Sequence, residues 1–199
     1  MFASNITREE INELTERRFE GRIHLIDTLE KFDSDFPLLN KQSILGFDTE
    51  TRPSFRKGDV HDISLIQLAA GNEAWLMRIN RIGIPGRLKA LMEDNNVLKV
   101  GAGLKDDFRK IQHLDTIRPA GFIDLQKYVE AFDIESKSLK KITAIVLGFK
   151  ISKSQQLSNW DADVLTEYQK LYAATDAWVC YKIYRRLIKI RHHLHEQTN

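Results

Sequence analysis

The chain has 199 residues, 42% of them hydrophobic and 29% charged, with a formal net charge of +2. That suits one domain with a substantial core, and the near-neutral balance does not announce nucleic-acid binding through bulk charge. A single cysteine, Cys180, excludes an intrachain disulfide and reads as a core residue. No apolar run approaches the roughly 20 residues of a membrane span, and the polar, acidic N-terminus lacks the marks of a secretory or transit signal, so a cytoplasmic protein without a membrane partner is the expectation.

In chain order, Thr7 and Glu10 form a capping box that opens a short helix. Residues 22–26 read as a strand, after which Asp27 or Thr28 caps a helix carrying Leu29 and Phe32. Residues 44–50 are the first confident strand. Residues 62–70 and 73–79 are two more, separated by the turn signal Gly71-Asn72. A helix follows Pro85 through Leu88, Leu91 and Met92, and residues 97–100 form a short buried strand. Helical spacing resumes at Leu104, Phe108 and Ile111. Phe122 and Ile123 supply a last strand before helices carrying Leu125, Tyr128, Leu139, Ile142 and Val146. Residues 148–159 have no clear pattern, and long loops in compact domains are often functional. Thr166 and Gln169 cap a final helix with the apolar stripe Tyr168, Leu171, Tyr172, Thr175, Val179, Ile183, Leu187 and Ile190. Its end is basic (Lys182, Arg185, Arg186, Lys189, Arg191), read as a solvated helix end favoured by the dipole rather than as a phosphate-facing patch. Three strands joined by short turns, then alternating helices and strands, predict an α/β fold with a mixed sheet of five or six strands and helices on both faces.

The informative residues are acids in apolar settings. Asp48 and Glu50 end an apolar strand and alternate onto one face, where two carboxylates repel unless solvated or bridged by a cation. Asp176 borders the buried stripe of the final helix, four residues after Tyr172 and on the same face. Asp106 and Asp107 follow Gly101-Ala102-Gly103, a glycine-rich strand-to-helix turn. A dinucleotide reading of that turn fails, because the third glycine of G-x-G-x-x-G would fall on Asp106. Taken alone, each site has a bland account: a solvated strand end, a boundary acid paired with a Lys or Arg, and acids favoured in a first helical turn. Their combination at strand ends and on helices of one sheet is what points to a site.

In this order the residues resemble the DEDD superfamily of 3′–5′ exonucleases, built on the ribonuclease H-like fold. Asp48-Thr49-Glu50 matches its D-x-E motif, with Phe47 and Thr51 flanking it as in bacterial polymerase proofreading domains. Ser64-Leu65-Ile66-Gln67-Leu68 matches the second strand. Gly101, Gly103 and Asp107 fit G-x-G-x-x-x-D, and Tyr172 with Asp176 fits Y-x-x-x-D. Ser158-Asn159-Trp160 and residues 165–177 are similar to Werner-type exonuclease domains. Leu171 stands where the histidine-type branch carries histidine, so the tyrosine-type branch is indicated. The likeness runs from about Arg22, leaving residues 1–21 as an N-terminal extension and 22–199 as the exonuclease domain.

The resemblance implies two divalent ions, Mg²⁺ or Mn²⁺, held by Asp48, Glu50, Asp107 and Asp176, with Asp48 bridging both and Tyr172 orienting the attacking water. It implies a nucleic-acid substrate with a free 3′ end, DNA favoured over RNA, and no obligate protein partner. Thr51 is a candidate contact to the terminal nucleotide, Lys153 a phosphate neutraliser, and Arg52, Arg56 and Lys57 candidate backbone grips. Trp75 and Trp160 offer stacking surfaces, although core packing suits both better. The rival readings are a catalytically silent nucleic-acid-binding module, a ribonuclease D-like RNA-processing enzyme and a small-nucleotide hydrolase.

Overall fold

The structure is a computed structural model that describes residues 2–56, 58 and 61–197. Lys57 lies outside the described residues. Helix α1 (Arg8–Glu13) opens on the reciprocal Thr7–Glu10 capping box. Strand β1 (Arg22–Ile26) leads into α2 (Leu29–Leu39), whose cap is Thr28, accepting from the Lys31 amide. Strands β2 (Ile44–Thr51), β3 (Ile63–Ala70) and β4 (Glu73–Arg78) follow. Short helix α3 (Ile79–Ile82) and α4 (Gly86–Glu93) precede β5 (Leu98–Gly101) and α5 (Leu104–Leu114). Strand β6 (Phe122–Asp124), α6 (Leu125–Tyr128), a 3-10 turn, α7 (Leu139–Leu147) and α8 (Glu167–Gln197) complete the chain.

The six strands form one mixed sheet in the order β1-β4-β3-β2-β5-β6. β2, β3 and β4 pair antiparallel, while β1 runs parallel to β4, and β5 and β6 run parallel beside β2. The expected elements are present, with three differences. Ile79 belongs to α3 rather than to β4. β5 is shifted one residue, to include Gly101. The β2–β3 connection is not a short turn, since it occupies residues 52–62. The strand pair is also irregular, with a bulge between Glu50 and Thr51. Bulges bend a strand and re-aim its side chains, here at the edge of the acidic motif.

Side-chain alternation divides the core. Leu45 and Phe47 of β2 and Ile66 and Leu68 of β3 face α2, α4 and α5. Leu65 and Ala69 of β3 face the other way, onto Ala173, Ala174 and Ala177 of α8. A third cluster joins Val100 to α6, α7 and the later part of α8 through Val129, Ile142, Cys180 and Ile183. Cys180 is a core residue, 1% exposed. Residues before β1 also enter the core: Phe19 is buried, packs edge-on to Trp178, and its amide donates to Thr175 Oγ1 at 3.0 Å. Among the described residues, no helix is long and apolar enough to cross a membrane.

The alanine run of α8 matters because the helix crosses β2 at a glycine. A Cβ on Gly46 would lie 1.8 Å from the Ala177 carbonyl oxygen and 2.8 Å from the Tyr181 amide nitrogen. Only a residue without a side chain permits this approach. Gly46→Ala should therefore push α8 off β2 and cost about 1–3 kcal/mol or more, as overpacking does. A denaturant titration of this variant beside the parent checks it, with a midpoint unchanged from the parent counting against the close approach.

Candidate active site

The contact at Gly46 sets the geometry two residues further on. Asp48 and Glu50 share the α8 face of β2, and Asp176 lies on the facing side of α8. One carboxylate oxygen from each of Asp48, Glu50 and Asp176 lies within 4.8 Å of the others. Asp176 is 2% exposed and Glu50 9%. Asp176 Oδ1 is buried with no hydrogen-bond partner, while Oδ2 accepts from Lys153 Nζ at 3.3 Å. Lys153 arrives on the loop between α7 and α8, and its ammonium also sits 5.7 Å from the Tyr172 ring centroid.

Asp107 comes from α5, on the other face of β2. Thr49, pointing opposite to its acidic neighbours, donates its hydroxyl to Asp107 Oδ1. Phe108 stacks edge-on to Phe122, and Phe122 edge-on to Phe47, which fixes α5 over β2. Asp107 is therefore beside the three-carboxylate cluster rather than one of its members.

Electrostatics show how crowded the cluster is. Burial pushes the Asp48 carboxyl well above the usual carboxylate range, with Asp176 and Asp107 adding to it. Glu50 is pushed up to about 10, by burial first and then by Asp48 and Asp176. Burial also raises Asp176, against the lowering influence of Lys153 and Tyr172. Asp107 is raised by burial, with the Thr49 hydrogen bond opposing. Burial alone would lower the Lys153 ammonium, but Asp176 and Asp48 outweigh it and hold it above its ordinary value. The Tyr172 phenol is pushed up by burial and by Asp176 and Glu50, so it keeps its proton at neutral pH.

The donor set fits a divalent cation of the Mg²⁺ or Mn²⁺ type: all ligand atoms are carboxylate oxygens, which hard cations prefer, and one buried oxygen has no partner.

The glycine turn before α5 has a different explanation. Gly101 is confined by Leu104 and by the Phe47 carbonyl, and Gly103 adopts a left-handed conformation with φ +79°. The amides of Gly103 and Leu104, which would cradle a phosphate in a dinucleotide fold, donate to Asp124 at 3.1 and 3.2 Å. A carboxylate of the protein itself fills the anion position. Asp124 escapes sequence reading because it is 20 residues away and one of many acids.

The other candidates divide. Thr51 Oγ1 accepts from Lys110 Nζ at 3.1 Å, and Arg52 is exposed. Thr51, Arg52, Asp107, Lys110 and Leu157 line a cavity of about 430 Å³ that reaches Glu50. Arg56 lines the adjoining cavity. Trp160 is fully buried 6.0 Å behind the Tyr172 ring, and Trp75 is fully buried against His24, so both are packing residues. Sequence reasoning missed Gly46, Thr49 and Lys110. It also missed Gln67, the cross-strand partner of Asp48, which is fully buried with both amide atoms unpartnered. The signal for Gln67 was present, since a glutamine between isoleucine and leucine in a buried strand is itself costly.

A mixed six-stranded sheet with carboxylates crowded at the end of a central strand defines a ribonuclease H-like hydrolase domain. The chain belongs to the 3'-5' exonuclease family, which it matches over residues 23–191. It is 32% identical over 162 residues to the mouse bifunctional 3'-5' exonuclease/ATP-dependent helicase WRN, covering 75% of this chain and 11% of that protein. It is 28% identical to the Aedes aegypti exonuclease mut-7 homolog, covering 93% of this chain and 29% of that one. The chain thus spans less than a third of either relative. The crystal structure of the Aedes aegypti Nibbler EXO domain matches with a TM-score of 0.76 and 28% identity, over 90% of this chain and 93% of that one. Escherichia coli RNase D shares the fold at a TM-score of 0.74 and 24% identity, over 84% of this chain and 44% of that one.

A carboxyl that holds its proton more tightly folded than unfolded destabilises the fold as pH rises between the two values. For Glu50 that window runs from 4.5 to about 10. Metal-free protein should therefore melt at falling temperature as pH is raised from about 6 to about 9, and Mg²⁺ or Mn²⁺ should restore it. Asp48→Asn should flatten the metal-free profile and remove most of the metal response. Calorimetry in EDTA and in Mn²⁺ reads both, and a metal-free profile rising with pH would contradict the cluster's electrostatics.

Proposed function

We propose that this domain hydrolyses the terminal phosphodiester at the 3′ end of a nucleic acid by a two-metal mechanism, releasing nucleoside monophosphates. The observation that carries the reading is the trio Asp48, Glu50 and Asp176, mutually within 4.8 Å, with Asp176 Oδ1 buried and unpartnered. Asp48, Glu50 and Asp176 would hold one Mg²⁺ or Mn²⁺, and Asp48 and Asp107 would hold a second. When bound, the ions acidify the attacking water and neutralise the departing oxygen.

The rest is done by the chain's own side chains. Tyr172 keeps its proton and orients the water by hydrogen bonding, because a phenol raised above its ordinary value is no base at neutral pH. The water gives one proton to solvent and its oxygen bonds to phosphorus as the bond to the 3′ oxygen of the preceding nucleotide breaks, and that oxygen leaves with a proton from solvent. Lys153 balances the negative charge of Asp176 and would face the scissile phosphate. Thr51 and Arg52 line the entrance, suited to the terminal nucleotide and its backbone.

DNA is the favoured polymer, on the likeness of residues 165–177 to Werner-type domains, and a cytoplasmic location without an obligate protein partner is the working assignment. A ribonuclease D-like role in RNA processing is the second reading, supported by the shared fold.

Asp48→Ala and Asp176→Ala should each lower the rate by about a thousand-fold or more while the protein stays folded. Tyr172→Phe should lose about 10²–10⁴-fold in rate with metal affinity near that of the parent. A time course on 5′-labelled single-stranded DNA, recessed duplex DNA and matched RNA, with Mg²⁺, Mn²⁺ or EDTA, checks all three. Full activity in Asp48→Ala would remove the metal assignment, and faster shortening of RNA than of DNA would move the substrate to the second reading.

A further inference from the structure

The basic end of α8 is more than a solvated helix terminus. Lys182, Arg185, Arg186 and Lys189 line a groove of about 470 Å³ together with Arg17 and Phe149. No acidic residue lines it, and among the described residues none of these five cations is in an ion pair. Five unpaired cations in one concavity are a concentration of charge on a chain whose formal net charge is only +2.

Three of the five lie over aromatic rings, Arg185 at 5.9 Å over Tyr181 and two on a stacked pair. Arg17 lies 5.9 Å over the Phe149 ring and Lys182 5.5 Å over the Trp178 ring, and these two rings stack on each other at 5.9 Å. Long cations ordered on aromatic faces lose less freedom on meeting an anion.

The groove also points towards the active centre. At about 100° per residue, Lys182, Arg185, Arg186 and Lys189 fall on the same side of α8 as Tyr168, Leu171, Tyr172 and Thr175. The latter four line a second cavity of about 220 Å³, and Arg17 lines both. The segment carrying Arg17 is fixed there by the Phe19 amide on Thr175 Oγ1 and by the Arg17 amide on the Lys150 carbonyl at 2.9 Å. Along the helix axis, Tyr172 to Arg185 is about 20 Å at about 1.5 Å per residue, or about six stacked nucleotides at about 3.4 Å each.

We propose that this groove binds the phosphate backbone of the substrate strand several nucleotides upstream of the 3′ end, with Arg17 linking it to the site at Tyr172. The proposal rests on the exonuclease reading above. It gives residues before β1 a part in substrate binding and makes longer substrates bind more tightly than short ones.

The test uses the whole chain and the triple variant Arg185→Glu, Arg186→Glu, Lys189→Glu, whose positions are all exposed. Binding of a labelled 20-nucleotide single strand is read by fluorescence anisotropy in EDTA over a salt series, and cleavage of a trinucleotide in Mn²⁺ is read separately. The expected result is binding weakened about ten-fold or more, a salt dependence shallower by about two in the log–log slope, and trinucleotide cleavage unchanged. Arg186→Gln alone serves if the triple variant does not fold, and should still lower 20-mer affinity while sparing the trinucleotide. Unchanged 20-mer binding and salt slope would overturn the groove, as would equal losses on the 20-mer and the trinucleotide. Failure of the parent to cleave either the trinucleotide or the 20-mer with metal would instead refute the exonuclease reading, whatever the binding data.

Discussion

Everything at the centre of this domain depends on one close approach, that of the α8 backbone to β2 at Gly46. It brings Asp176 into the space where Asp48 and Glu50 already point. At the 4.8 Å that bounds their separation, two unit charges repel by about 3–4 kcal/mol at an effective dielectric near 20. Fully burying one large apolar side chain contributes about 1.5–3 kcal/mol. The packing of Ala173, Ala174 and Ala177 on β3, with Trp160 and Leu165 beside them, is therefore needed to hold the carboxylates together. The site is a place where the core's stability is set against charge repulsion, and a divalent cation removes the opposition.

The same fold gives its carboxylates different fates. Asp124 is satisfied by two backbone amides and serves the α5 terminus. Asp107, three residues beyond Leu104, is oriented by Thr49 instead. Asp161 accepts from Ser64 and Asn80, and buried Arg78 donates to the Ala162 and Asp163 carbonyls. These bonds tie the end of the loop between α7 and α8 to the sheet. They explain how a loop without regular structure can present Lys153 to Asp176. Chemistry on such a loop requires anchors at both ends, and the other end is the pairing of Lys150 with Glu16.

Much of this was legible in order and spacing. Alternation placed Asp48 and Glu50 on one face of β2 whatever they met there, because the strand period is fixed by backbone geometry. The four-residue step put Tyr172 and Asp176 together on α8 for the same kind of reason. Capping boxes at Thr7 and Thr166 marked helix starts because they are satisfied within a few residues. The failures were also local in origin: Ile79 continues the apolar run of β4, and its helical assignment comes from the turn that α3 must make.

What the sequence could not decide is which distant residues face each other across the layers. Nothing in residues 44–50 singles out the glycine at 46, and only the crossing of α8 makes it the determinant of the site. Thr49 reads as a spacer between two acids, and only α5 makes it the donor to Asp107. The basic residues of α8 read as a solvated helix end until Arg17, more than 160 residues earlier, closes the groove beside them. Periodicity and capping are written into neighbouring residues and so survive in the sequence. Partners across layers depend on how whole elements pack, and that was decided only by the tertiary fold.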